Sequence, residues 1–70
     1  MRKRELRILI EERAKICNVT FRWKREGGNH TIYTLGNSTI IIGRHRELKE
    51  GDKDATLKQT ELELGEKWWK

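Results

Sequence analysis

The fold of this chain is decided by residues 19–43, which read VTFRWKREGGNHTIYTLGNSTIIIG. Three segments rich in β-branched and aromatic residues predict strands: residues 19–25, 30–35 and 38–43. Between them stand Gly27-Gly28-Asn29 and Gly36-Asn37, combinations that supply the positive φ of tight hairpin turns. The stretch therefore predicts a three-stranded antiparallel meander.

Side-chain alternation indicates which faces of these strands are covered. Val19, Phe21 and Trp23 share one face of the first strand. Thr20, Arg22 and Lys24 share the other, which predicts a half-buried strand. The third strand is the most apolar of the three, so we expect it to be buried.

Helical patterns flank the predicted sheet. Residues 3–17 predict a helix whose apolar stripe contains Leu6, Leu9, Ile10, Ile16 and Cys17. Residues 53–64 predict a second helix with a thin apolar face, capped by Asp52 and stopped by Gly65. The order α-β-β-β-α predicts one α+β domain over residues 1–70, with both helices on one face of the sheet.

Composition narrows the classes of partner and compartment. The 70 residues carry a net charge of +5, which favours a polyanionic or acidic partner such as nucleic acid or an acidic protein. Cys17 is the single cysteine, and we find no secretory signal or membrane-length apolar segment. These features predict a cytoplasmic chain without membrane association. The number and spacing of histidine and cysteine do not predict a metal site. We expect no cofactor.

The two histidines each allow two interpretations. His30 follows the glycine turn and is either a solvated residue at a strand end or a general acid–base acting on RNA, because imidazole exchanges protons near neutral pH. His45 is either an exposed residue of a charged loop or a phosphate contact beside Arg44 and Arg46.

Further basic and aromatic residues also allow more than one interpretation. Arg22, Lys24 and Arg25 form either a solvated face or a patch that tracks phosphates, with Trp23 nearby. Trp68 and Trp69 either dock on the core or on a partner protein, or they stack on bases. Composition alone does not choose between these interpretations.

Four segments together resemble the HicA family, small mRNA interferase toxins of type II toxin–antitoxin systems. They are RELRILIEE at 4–12, GGNHTIY at 27–33, IIIGRHRELKEG at 40–51 and LKQTELEL at 57–64. The resemblance covers roughly residues 4–64, nearly the whole chain. There are departures: Asn29 stands where the family most often has Ser, Gly43 stands where Pro is common, and KQTELEL replaces an ending like KQAGL.

The resemblance implies a fold similar to a double-stranded-RNA-binding domain and metal-independent cleavage of mRNA that inhibits translation. It places the catalytic histidine at His30. The residues expected to bind RNA are Gly28, Asn29, Arg22, Lys24, Arg25, Arg44, His45 and Arg46. It also implies a more acidic HicB-like antitoxin that covers His30, with Trp68 and Trp69 as candidate contacts and oligomers formed only through that antitoxin.

Two other classes of protein fit the same residues. A non-catalytic RNA-binding module would use the basic face without needing a histidine. A basic protein-interaction domain would direct that face toward an acidic partner instead of RNA.

Overall fold

The order of elements in the computed structural model, which describes residues 1–44 and 47–70, begins α-β-β-β and ends with two consecutive helices. The elements are α1 Lys3–Ile16, β1 Phe21–Glu26, β2 His30–Leu35, β3 Ser38–Gly43, α2 Glu50–Gln59 and α3 Glu61–Leu64. The strands form one antiparallel sheet in the order β1-β2-β3. The predicted α+β class and α-β-β-β-α order are confirmed, and the final predicted helix is divided in two.

The start and the division of the last helix differ from the prediction. Helix α2 begins at Glu50 after Lys49, and no side chain caps it, so the prediction of Asp52 as N-cap is wrong. Asp52 lies within the first turn instead, where its charge still suits the helix dipole. The break follows Thr60, whose hydroxyl donates to the Leu57 carbonyl oxygen at 2.6 Å and competes with the helical ladder. Gly65, at φ 105°, follows the end of α3 as predicted.

Helix α1 buries a face that is rotated slightly from the predicted stripe. Leu6, Ile10 and Ala14 are buried, and Leu9 and Cys17 pack partly against the core. Ile16 is 75% exposed, so its place in the stripe was wrong. At 100° per residue, Ala14 and Ile16 lie on opposite flanks of the stripe, and the sheet covers the Ala14 flank.

The core lies between one face of the sheet and the helices. Tyr33, Leu35, Ile40 and Ile42 supply the sheet side, and Leu57 and Leu64 come from α2 and α3. Ile40 and Ile42 are fully buried while Ile41 between them is 42% exposed. The prediction that β3 is buried therefore holds for one face only, because the helices cover one side of the sheet.

Strand β1 is the more exposed edge of the sheet. It begins at Phe21, two residues later than predicted, and only Phe21 is half-buried. The Phe21 ring stacks on Tyr33 with centroids 5.0 Å apart, whereas Trp23 is 60% exposed. The register shifts between Trp23 and Arg25, so Lys24 is the extra residue of a β-bulge.

The two hairpins use different backbone geometry. Leu35 pairs with Ser38 across a two-residue loop in which Gly36 has φ 58°, as predicted for a tight turn. Neither Gly27 nor Gly28 has a positive φ, so that prediction is wrong for the first turn. Instead, the Gly27 N–H donates to the His30 carbonyl oxygen at 2.8 Å and closes the loop.

Gly36→Ala is expected to destabilise the protein by about 1–2 kcal/mol, since an L-residue is disfavoured at this φ. The new methyl group would also collide with the Glu63 carboxylate and lie 3.2 Å from Val19 Cγ1. Urea denaturation measures the change. Gly28→Ala is the matched control, because its methyl group meets no atom within 4 Å. Equal midpoints for the two variants would contradict this account.

Candidate nucleic-acid interface

His30 stands at the beginning of β2, directly after the first turn. It is exposed and pairs with Gly43 of β3. The next residues in β2 alternate, with Thr31, Tyr33 and Leu35 buried under the helices. The imidazole therefore belongs to the face of the sheet opposite the helices. In residues 1–44 and 47–70, no side-chain hydrogen bond to this imidazole is formed, so the ring is presented to solvent.

A groove of about 600 Å³ lies beside His30, between the sheet and α2. Its lining residues are Asn29, His30, Ile41, Gly43, Leu48, Asp52, Ala55, Thr56 and Gln59. Helix α2 is held here by Gln59, whose Oε1 accepts from the Ile41 N–H at 2.9 Å. Its Nε2 donates to the Ile41 carbonyl oxygen at 3.3 Å. One side chain thus occupies both hydrogen-bonding groups of Ile41 at the outer edge of β3.

The α2 wall of this groove was missed in the sequence. Asp52, Ala55 and Gln59 are spaced three and four residues apart, so they share one stripe of the helix. This stripe contains both polar and apolar residues, whereas the predicted face of this helix was defined by apolar residues alone. Asp52, interpreted as a cap, brings a carboxylate into the groove that contains His30.

The bulge in β1 places Arg25 on the His30 face, where Arg22 also lies. Arg22 pairs with Thr34 and Arg25 pairs with Ile32, and both partners belong to the face opposite the helices. Strict alternation would have placed Arg25 on the other side of the sheet. The structure therefore brings Arg22, Arg25 and His30 to one face, with Lys24 as the bulged residue between the arginines.

Arg44 is held by Glu26 at the end of the sheet. Its Nε donates to Glu26 Oε1 at 3.1 Å. The Thr31 hydroxyl donates to the same oxygen at 3.1 Å, and Trp23 Nε1 donates to Oε2 at 2.9 Å. The Arg44 backbone N–H also donates to the Asn29 carbonyl oxygen at 3.1 Å. Arg44 is thus near the turn, but its guanidinium is engaged by a carboxylate. A phosphate would have to compete for it.

The remaining predicted site residues fall into three groups. Gly28 lies in the turn before His30, and a methyl group on it would meet no atom within 4 Å, so the backbone is open to a ligand there. His45 and Arg46 lie outside the described residues. Trp68 and Trp69 are half-buried against the core, and Trp68 Nε1 donates to Thr60 Oγ1 at 2.7 Å. Their contact with an antitoxin stays a prediction.

Glu26 is expected to make stability sensitive to acid. The hydrogen bond from Trp23, together with those from Thr31 and Arg44, lowers the pKa of Glu26 below its ordinary value of 4.5. Since the pKa is lower in the folded state, the carboxylate stabilises the fold above pH 4.5, and this contribution is lost as the pH falls through the lowered pKa.

We therefore expect the urea midpoint to fall more steeply between about pH 5 and pH 3 in the parent chain than in Glu26→Gln. The exposed Glu66 supplies the control, since Glu66→Gln should keep the parent slope. If the urea midpoint of Glu26→Gln depends on pH as steeply as that of the parent chain, the Glu26 carboxylate does not stabilise the fold as described.

Neither family models, curated proteins nor solved structures gave a significant match to this chain. No described helix is long and apolar enough to span a bilayer. Within the described ranges, no three His, Cys, Asp or Glu side chains are grouped so that they could hold a metal ion.

Proposed function

We propose that this chain is a metal-independent endoribonuclease that acts on mRNA in the cytoplasm as the toxin of a toxin–antitoxin pair. The resemblance to HicA toxins suggests this class. The observation that carries the proposal is the position of His30: its exposed imidazole lies beside an open groove, on the same face as Arg22 and Arg25. An imidazole, a cleft and two guanidinium groups are what cleavage of a phosphodiester by proton transfer needs.

The chemistry follows from these groups. His30 accepts the proton of a ribose 2′-hydroxyl, and the resulting oxygen attacks the adjacent phosphorus. The bond to the 5′-oxygen then breaks, giving a 2′,3′-cyclic phosphate and, after protonation from solvent, a 5′-hydroxyl. Arg22 and Arg25 hold phosphates and offset the developing negative charge. The Asp52 carboxylate lines the same groove as His30.

The proposed partner is a HicB-like antitoxin that is more acidic than this chain. The net charge of +5 favours such a partner, and coverage of His30 would block the groove. Co-purification with the product of the neighbouring gene tests this part of the proposal.

The activity itself is tested with purified protein, single-stranded and duplex RNA, and EDTA. The proposal expects cleavage that EDTA does not prevent and products that end in a cyclic phosphate. A shift of the RNA without cleavage would instead support a non-catalytic RNA-binding module. If no RNA binds even at low salt, a protein-interaction domain becomes the better interpretation.

A further inference from the structure

A second groove, of about 590 Å³, lies on the other side of the sheet from His30. It is lined by Arg2, Lys3, Arg4 and Arg7 at the beginning of α1, with Tyr33 of β2 at its base. Tyr33 belongs to the buried face that the helices cover, whereas His30 belongs to the opposite face. The sheet therefore separates the two grooves, and the groove at the beginning of α1 is distinct from the one beside His30.

The charges of this groove are unfavourable for the helix that carries them. The positive end of the helix dipole is normally accompanied by acidic residues. Here the first turn contains one acid, Glu5, and the groove at this end of the helix is lined by four cationic side chains. Arg2 pairs with Glu47 at 3.5 Å, but within the described ranges Arg4 and Arg7 form no ion pair. A local rule broken in this way is expected at a binding site, where a ligand supplies the missing negative charge.

Tyr33 is the aromatic residue that lines the groove, and two further aromatic side chains neighbour it in the sheet. Phe21 stacks on Tyr33, and the exposed Trp23 pairs with Tyr33 across the strands. Burial raises the pKa of the Tyr33 phenol, although the nearby charge of Arg7 opposes this, so the hydroxyl stays protonated and can donate. Proteins hold single-stranded nucleic acid with a positively charged groove combined with aromatic side chains.

We propose that this groove is a second phosphate-binding site, in which Arg4 and Arg7 hold the backbone of the same RNA strand that His30 cleaves. This proposal rests on RNA being the substrate. Guanidinium groups suit phosphate because their planar set of donors can contact two of its oxygens at once.

The position of the groove defines a path for the strand. An RNA that occupies both sites must cross the β1 edge, where Lys24 bulges and the Trp23 ring is exposed. Arg25 and Arg22 then lead along the open face toward His30. A flexible single strand can follow this turn around the sheet, whereas a stiff duplex cannot.

The test measures binding of a labelled single-stranded RNA of about 12 nucleotides, within the range of about 4–16 that small binding domains cover. The 70-residue chain with His30→Ala is the parent, so that the RNA stays intact. The test variant adds Arg4→Gln and Arg7→Gln. The control adds Lys15→Gln and Lys58→Gln, which remove the same two charges from exposed positions elsewhere. Thermal unfolding checks that both fold.

For each variant, affinity is measured over a series of salt concentrations. Loss of two phosphate contacts should reduce the slope of log affinity against log salt by about 1.4, since each contributes about 0.7 with single strands. Affinity should fall by about tenfold or more, while the control keeps a slope close to that of the parent. Equal slopes in the two double variants would overturn the second site, even if the wild-type chain cleaves RNA.

Failure of the proposed function gives a different result. If the wild-type chain does not cleave RNA but the Arg4/Arg7 variant still loses slope, the groove is confirmed as a phosphate site of a non-catalytic RNA-binding protein. If the parent binds no RNA at any salt concentration, both proposals are wrong.

Discussion

Replacing His30 with alanine should slow RNA cleavage by about 10²–10⁴-fold, the contribution typical of one positioned acid–base group. The fold should be preserved, because the side chain is exposed and His30 contributes to the sheet through its backbone pairing with Gly43. Cleavage of a labelled single-stranded RNA under single-turnover conditions measures the loss. Most of the RNA affinity should remain, since the arginines on the same face are unchanged.

The other histidine provides the control for this experiment. His45→Ala removes an imidazole from the charged segment that follows β3, and we expect it to affect cleavage far less than His30→Ala. Added imidazole should partly restore cleavage to His30→Ala if the missing function is proton transfer. His30 is not the base if His30→Ala cleaves RNA at the wild-type rate, or if His45→Ala lowers the cleavage rate more than His30→Ala does.

The order of elements was predictable because local sequence patterns decide it. Alternation in residues 19–43, the Gly36-Asn37 turn and the stripe of α1 each specify an element without reference to distant residues. Errors arose where tertiary contacts override the pattern. Ile16 fits the stripe but faces solvent, and Ile41 lies in an apolar run but faces the open side. Apolar character alone does not tell which side of a sheet a layer of helices will cover.

The candidate site was only partly predictable for a related reason. His30 and Arg22 follow from strand alternation, so their shared face was accessible from the sequence. Arg25 joins that face only through a bulge, which a single sequence does not reveal. Asp52 lines the groove only because α2 lies beside β3. Two hydrogen bonds between Gln59 and Ile41, which are 18 residues apart in the sequence, fix that arrangement. Long-range side-chain contacts of this kind leave no periodic signal.

Ile40→Ala should leave a substantial fraction of the chain unfolded at 25 °C. Ile40 is fully buried in the core between the sheet and the helices, and truncation of such a residue typically destabilises by about 2–5 kcal/mol. A single core in a chain this short supplies only about 3–5 kcal/mol of net stability. The loss is therefore comparable with the whole free energy of unfolding. Circular dichroism and the dispersion of amide proton signals measure the remaining folded fraction.

Ile41→Ala is the matched control, because it makes the same chemical change one residue further along the same strand. Ile41 is 42% exposed, and its two bonds to Gln59 use backbone groups that alanine retains. We expect a loss of less than about 1 kcal/mol, since partial burial leaves little cavity behind. Ile41 lines the His30 groove, so Ile41→Ala should lower the rate of RNA cleavage although the free energy of unfolding changes little. Equal destabilisation by the two variants would mean that both faces of β3 are covered, and the open groove proposed for RNA would not exist.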